Sequence, residues 1–287
     1  MSGWKAWRDV PASERLERER ALEPLSEAGF VVTSRELSRD GPWRIEIFGH
    51  GDKREVERAI DGQWRWETLP AIDWVAENQR SFVPFAVGPF WVHPSHAADG
   101  MPAGLLPIEI DAGLAFGTGQ HATTAGCLAA LDRLESAGKH FANVADIGTG
   151  TGLLAFAALA LWPEAKCIAT DIDPVAVDVA RDNAAINRLK LGHAAGELLL
   201  TQADGMDSPM LAARAPFDLV IANILAGPLI ELAPDFARAI APGGTVVLAG
   251  LLDTQADGVI GAYAAQGLAL EDRGFGEWPV LVCERRR

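Results

Sequence analysis

From residue 122 to the end, short apolar runs alternate with longer stretches of helical spacing. The runs predict strands at Val144–Ile147, Lys166–Thr170, Leu198–Thr201, Phe217–Ala222 and Thr245–Ala249. The longer stretches predict helices over 122–137, 152–161, 174–188, 227–239 and 254–266, and two last runs, Leu268–Arg273 and Val280–Glu284, close the chain. Strands that alternate with helices assemble into a mostly parallel, doubly wound α/β sheet, because each crossover helix returns the chain to start the next strand in the same direction. Asp173-Pro174 gives one helix a defined start, with Asp173 as N-cap and Pro174 as the first helical residue.

The front of the chain follows another pattern. Leu16, Leu22 and Leu25 recur at helical spacing between Pro11 and Gly29 and predict a helix over 11–28. Phe30–Leu37 and Trp43–Phe48 predict strands joined by a turn at Asp40-Gly41-Pro42; Lys53–Ile60 predicts a short helix and Gln63–Leu69 another strand. Residues 1–72 are therefore expected as a small α+β domain. A connector is expected over 73–111, with a helical start at Asp73–Gln79. Its strand-like runs, Phe82–His93 and Gly104–Asp111, flank a polar loop, Pro94–Ala103. The main α/β domain then covers 112–287. Seven of the nine tryptophans, Trp4, Trp7, Trp43, Trp64, Trp66, Trp74 and Trp91, lie at or before residue 91. They serve either a recognition face or core and linker packing.

Composition narrows the classes of function. The formal net charge is −14, which repels phosphate and argues against a protein that grips nucleic acid by its backbone. It attracts a basic partner, and it also keeps a protein soluble. The three cysteines, Cys127, Cys167 and Cys283, are scattered and odd in number, so no disulfide framework or zinc motif is expected. The first ten residues lack the apolar run of a signal peptide, and no stretch reaches the roughly 20 apolar residues that span a bilayer. A cytoplasmic monomer without membrane contact is the expectation. His93 and His96 have H-x-x-H spacing but no acidic or sulfur partner, so no metal site is expected.

Candidate chemistry concentrates after the first strand of the α/β domain, in Asp146-Ile147-Gly148-Thr149-Gly150-Thr151-Gly152. Glycines at a strand-to-helix turn let the main chain approach a ligand and expose N–H groups at the helix start. The spacing is G-x-G-x-G. A dinucleotide fingerprint needs G-x-G-x-x-G, and its third glycine would fall on Leu153. The loop, with Gly148 and Gly150 at its centre, thus fits S-adenosylmethionine better than a nicotinamide cofactor. Asp146 is expected to face the cationic amino-acid end of that donor. Asp171, at the end of the next strand, is placed to accept both ribose hydroxyl hydrogens, and Asp204 to reach the adenine amino group.

The reacting end is expected at Ala222-Asn223-Ile224-Leu225-Ala226. Asn223 ends the fourth strand, where its amide oxygen can orient an incoming amine toward the methyl group; alignment supplies most of the catalysis in such a transfer. No general base stands out, and water can take the proton. Asp111 to Thr124 forms a second wall, with Gly117 and Gly119 allowing a mobile loop and the hydroxyl of Thr123 or Thr124 available to the donor's carboxylate.

Asp111 to Thr124 resembles the G-L-A-F-G-T-G-x-H-x-T-T signature of the PrmA family of ribosomal-protein methyltransferases. Asp146 to Gly152, Asp171-Ile172-Asp173 and Ala222 to Ala226 resemble its later motifs in the same order, and the match runs from about residue 73 to the end. The resemblance implies a class I methyltransferase fold, Rossmann-like, with a smaller N-terminal α+β domain that recruits the substrate. It implies methylation of lysines and of the N-terminal amine of large-subunit ribosomal protein eleven. It also implies cofactor contacts at Thr124, Gly148, Asp171 and Asn223, selecting Thr124 over Thr123. The front domain matches the family poorly. Three rivals remain: a related methyltransferase acting on another protein's lysine, a nicotinamide-dependent oxidoreductase, which Leu153 and Asp146 oppose, and a non-catalytic binding module that keeps the cofactor pocket, which Asn223 opposes.

Overall fold

The computed structural model describes residues 3–15, 18, 21, 22, 25, 30–37, 41–50, 52–69, 82–97, 100–111 and 122–286. The helical start of the connector, Asp73–Gln79, most of the helix expected over 11–28, and the loop 112–121 with Gly117 and Gly119 lie outside them. The chain divides into two compact units, Met1–Trp74 and Val75–Arg287.

The first unit contains β1 (Gly3–Val10), β2 (Val31–Glu36), β3 (Trp43–His50), helix α1 (Arg54–Ala59) and β4 (Arg65–Leu69). The strands form an antiparallel sheet in the order β2-β3-β1-β4. The strand β1 was not expected, although its pattern is readable: Trp4, Ala6 and Val10 are buried, while Lys5, Trp7 and Asp9 point the other way. Ile45 and Ile47 of β3, Val56 of α1, and Leu22 and Leu25 complete the core. Trp4 packs on Phe30 and Trp66, so part of the tryptophan cluster is core.

The second unit opens with β5 (Phe85–Val87), β6 (Phe90–His93) and β7 (Leu106–Glu109), a three-stranded sheet. Residues expected as part of a connector thus fold with this unit: Phe82, Phe90, Val92, Ile108 and Ile110 share one buried cluster with the helices that follow. The rest alternates as α2 (Ala122–Ser136), β8 (Asn143–Ile147), α3 (Leu153–Leu161), β9 (Lys166–Asp171), α4 (Pro174–Ile186), β10 (Lys190–Leu191), β11 (Glu197–Gln202), α5 (Pro209–Arg214), β12 (Phe217–Asn223), α6 (Ala226–Ala239), β13 (Ile240–Ala249), α7 (Asp253–Ala265), β14 (Leu268–Arg273) and β15 (Leu281–Arg285). The short helix α5 escaped the apolar pattern, yet Ser208 caps it by accepting from the Met210 N–H and Pro209 opens it. Asp173 caps α4 in the same way, as its position predicts.

The eight strands run β10-β11-β9-β8-β12-β13-β15-β14, parallel except that β15 is antiparallel to both its neighbours. Both faces are covered. Leu219 and Ile221 of β12 enter one apolar cluster, and Val220 and Ala222 enter the other. That is why strands of such a sheet read as unbroken apolar runs rather than alternating ones. The chain leaves β8 toward β9 on one side and later reaches β12 on the other. The order therefore reverses at β8, and a crevice opens beyond the carboxyl ends of these strands.

Candidate active site

A cavity of about 820 Å³ lies at that reversal. It brings together all five residues singled out from the sequence: Thr124, Gly148, Gly150, Asp171 and Asn223. They come from α2, the β8–α3 turn, the end of β9 and the end of β12.

The glycine turn is held against β9. Gly148 and Thr149 donate their N–H groups to the Thr170 carbonyl at 2.8 and 2.9 Å. Gly148 has φ +75°, and a Cβ there would come within 2.3 Å of Ile224 Cγ2. The backbone of the turn and the Asn223-Ile224 segment are thus packed as closely as a glycine permits. Gly152, at φ +90°, lets the ring of Phe156 lie where a Cβ would be. Asp171 ties the turn to its own strand end: Oδ2 accepts from the Gly150 N–H at 2.9 Å and Oδ1 from the Asp173 N–H at 3.1 Å. Main-chain donors on both oxygens fix the carboxylate's orientation at the cavity wall.

Asp146 departs from its expected place. It shares its face of β8 with buried Val144, is 1% exposed, and does not line the cavity. Its Oδ2 accepts from the Thr149 hydroxyl at 2.6 Å, and Oδ1 has no hydrogen-bond partner among the described residues. Burial raises its pKa to about 7, against which the Thr149 hydroxyl acts. It is a strut beneath the turn, not a contact for a ligand's amino group. Asp204 does line the cavity, beyond the end of β11.

At the other end, the Asn223 Nδ2 donates to Thr124 Oγ1 at 3.1 Å. This contact links two residues 99 positions apart and turns the amide oxygen of Asn223 away from α2. Thr123 and Thr124 are both buried and both line the cavity. His93 and His96, set aside as metal ligands, sit on β6 and in a short 3-10 turn; His93 is buried with Nδ1 bonded to the Pro94 carbonyl oxygen.

Three features went unread in the sequence. The first is an asparagine pair one turn apart, Asn183 in α4 and Asn187 at its C-cap. The side chain of Asn183 accepts from the Asp111 N–H at 2.9 Å and donates to the Asp111 and Thr151 carbonyls at 3.1 and 3.0 Å. That of Asn187 accepts from the Glu109 N–H at 2.9 Å and donates to the Glu109 carbonyl at 2.7 Å. The two side chains act as a strand would, clamping the end of β7 to the glycine turn. The available signal was Asn183 inside a helix, where asparagine is otherwise disfavoured. The second is Trp278, which lines the cavity from the β14–β15 loop. The third is the charge added to Asp171 and Asp204 by Glu231 and by Asp235, the latter paired with Arg238; the described lining residues include no lysine, arginine or histidine.

Comparison with known proteins agrees with this geometry. Residues 50–286 match the model of the family described as ribosomal protein L11 methyltransferase (PrmA). Proteins named ribosomal protein L11 methyltransferase from Brucella suis and Mesorhizobium japonicum are 41% and 40% identical. The first alignment covers 90% of this chain and 91% of its relative, the second 88% and 89%. The crystal structure of a ribosomal protein L11 methylase from Lactobacillus delbrueckii subsp. bulgaricus superposes with a TM-score of 0.59 at 29% identity, covering 72% of this chain and 100% of that one. The chain belongs to the ribosomal protein L11 methyltransferase (PrmA) family.

Proposed function

We propose that this chain methylates lysine side chains and the N-terminal amine of ribosomal protein L11, with Asn223 presenting the acceptor amine and Thr124, Gly148, Gly150 and Asp171 holding the donor. The enzyme is a methyltransferase and its donor is S-adenosyl-L-methionine. One observation carries the reading: an acid-lined cavity with no basic side chain among its described residues, built around a G-x-G-x-G turn. That charge suits a sulfonium donor and an amine acceptor. It opposes the pyrophosphate of a nicotinamide cofactor, so the oxidoreductase reading is set aside.

The residues fit the donor. Gly148, without a Cβ, holds the turn at φ +75° in the cavity wall with Ile224 packed against it. The anchored Asp171 keeps acceptor capacity for ribose hydroxyls beyond its two main-chain bonds. Bound there, S-adenosyl-L-methionine supplies an electrophilic methyl group on a positively charged sulfur. Lysine, with a reference pKa of about 10.4, must be neutral to attack. Desolvation and the donor's positive charge lower that pKa, against the pull of the acidic lining, and water takes the proton. Asn223, held by Thr124, then accepts from a remaining N–H and aims the lone pair.

Residues 1–72 recruit the substrate in this reading. The net charge of −14 draws in a basic ribosomal protein. The enzyme acts as a cytoplasmic monomer that contacts no nucleic acid directly. No helix among the described residues is long and apolar enough to cross a membrane.

The test is to incubate the purified chain with methyl-labelled donor and purified L11 and to locate the label by mass spectrometry. Label is expected on lysines and the N-terminal amine. Asn223→Ala is expected to bind donor by calorimetry yet turn over about 100-fold more slowly. Label on another protein of a cell extract but not on L11 overturns the substrate, and full turnover by Asn223→Ala overturns the role of Asn223.

A further inference from the structure

Helix α4 lies on β9 and β11 and buries Ala176, Val177, Ala180, Asn183 and Ala184. Asn183 is the polar member of that stripe. Packing gives no reason for an amide there, but its partners do. Oδ1 accepts from the Asp111 N–H at 2.9 Å, and the hydrogens of Nδ2 go to the Asp111 and Thr151 carbonyls at 3.1 and 3.0 Å. Both donors and the oxygen are engaged, which fixes the side chain in one orientation.

The contact with Thr151 reaches the site. Together, β9 and α4 grip the glycine turn at two successive residues. At the end of β9, Asp171 Oδ2 accepts from the Gly150 N–H at 2.9 Å. From within α4, Asn183 donates to the Thr151 carbonyl. Asp173 joins the two anchors: its N–H bonds to Asp171 Oδ1, and its side chain caps α4. The Thr151–Gly152 peptide is caught on its other side too, where the Gly152 N–H donates to the Thr149 carbonyl at 3.0 Å. Gly150 sits at φ +55°. A glycine offers no side chain to restrain the peptide that follows it, so the restraint must come from neighbours. Asn183 supplies it from outside the cavity, whereas Gly150 and Thr151 line the cavity.

We infer that Asn183 is a positioning residue of the donor site: it holds the Thr151 carbonyl, and through it the Gly150–Thr151 peptide, in the orientation that receives S-adenosyl-L-methionine. The inference rests on the reading that the donor lies at this turn. A wall fixed before binding spares the ligand the cost of ordering it. Without the amide, the donor itself must order the turn, and the loss falls on donor affinity. Asn187 is the natural comparison, since its side chain bonds to Glu109 and to the Asn183 carbonyl and not to the turn.

Two readouts on the full chain test this. The first is donor binding by calorimetry, well below the melting temperature of every variant. Asn183→Ala is expected to bind S-adenosyl-L-methionine roughly 10-fold more weakly. Its KM for the donor should rise in step, and its KM for L11 should stay at the wild-type value. Asn187→Ala should lose far less donor affinity. Val259→Ala truncates a fully buried side chain of α7 that does not line the cavity. It lowers stability without touching the turn, and its donor affinity is expected to remain that of the wild type. Asn183→Ser, whose hydroxyl is too short to span the gap to Thr151, serves in place of an alanine variant that does not fold. The second readout needs no donor. Isotope labels on threonine carbonyls and glycine nitrogens select the three Thr–Gly peptides of the chain, Thr118–Gly119, Thr149–Gly150 and Thr151–Gly152, by magnetic resonance. Thr151→Ser assigns the last by removing its signal. That signal is expected to move in Asn183→Ala and to stay in Val259→Ala. An unmoved signal, wild-type donor affinity in the Asn183 variants, or equal weakening in Val259→Ala overturns the inference. A wild-type chain that binds no donor instead faults the reading of the cavity on which it rests.

Discussion

Replacing Asn183 with alanine tests whether the clamp between the end of β7 and the glycine turn is structural capital or ornament. The side chain is fully buried. It makes three hydrogen bonds to main-chain groups, two on Asp111 and one on Thr151. Alanine removes all three and leaves a main-chain donor and two acceptors, of which the Thr151 carbonyl belongs to a fully buried residue. At about 1 kcal/mol net for each bond, the loss comes to about 3 kcal/mol. For a unit of this size that corresponds to a fall of roughly 6–12 °C in melting temperature. Scanning calorimetry of the full chain is the assay, read on the transition of the second unit. Asn187→Ala is the internal comparison: its side chain is only half-buried, so water can replace the lost contacts with Glu109 and the drop should be about 3 °C. If Asn183→Ala melts within about 2 °C of the wild type, or no lower than Asn187→Ala, burial is not what gives the clamp its strength and the reasoning fails.

Asp146 carries a pH prediction. Its folded-state pKa is raised to about 7, above the ordinary carboxylate value, chiefly by burial. Its neutral form is therefore the one the fold prefers. The associated stability is full below about pH 4 and is lost as pH rises through 7, by an amount of order a few kcal/mol. Asp146→Asn should flatten that part of the pH–stability curve; an unchanged slope in urea titrations between pH 4 and 8 would count against the buried carboxyl as its source. Gly148→Ala forces a side chain into φ +75° and against Ile224, so donor affinity measured by calorimetry should weaken at least about 10-fold. Unaltered binding would mean the turn does not approach the ligand.

The sequence makes the sheet legible because burial on both faces leaves strands such as β12 as plain apolar runs, and because the glycine turn and Asp171 are local features. What it hides is non-local or face-dependent. The partners of Asn183 and Asn187 lie 72 and 78 residues away along the chain, and Trp278 reaches the cavity only because β15 pairs with β13 beside β12. Asp146 and Asp171 look alike in sequence, each an aspartate at a strand end. One occupies the face of Val144 and is sealed under the turn; the other stands at the open edge, where N–H groups of the turn fix it. Only the register of the strands separates strut from contact. Charge behaves the same way. A total of −14 is compatible with simple solubility until the fold gathers Asp171, Asp204, Glu231 and Asp235 around one cavity. Exposed charges elsewhere are screened within about 8 Å at physiological salt, whereas those bordering a partly enclosed cavity act on whatever enters it. The acidity that steers a basic partner toward the surface and the acidity that selects a cation inside are thus separate effects, and raising the salt concentration should weaken the first far more than the second.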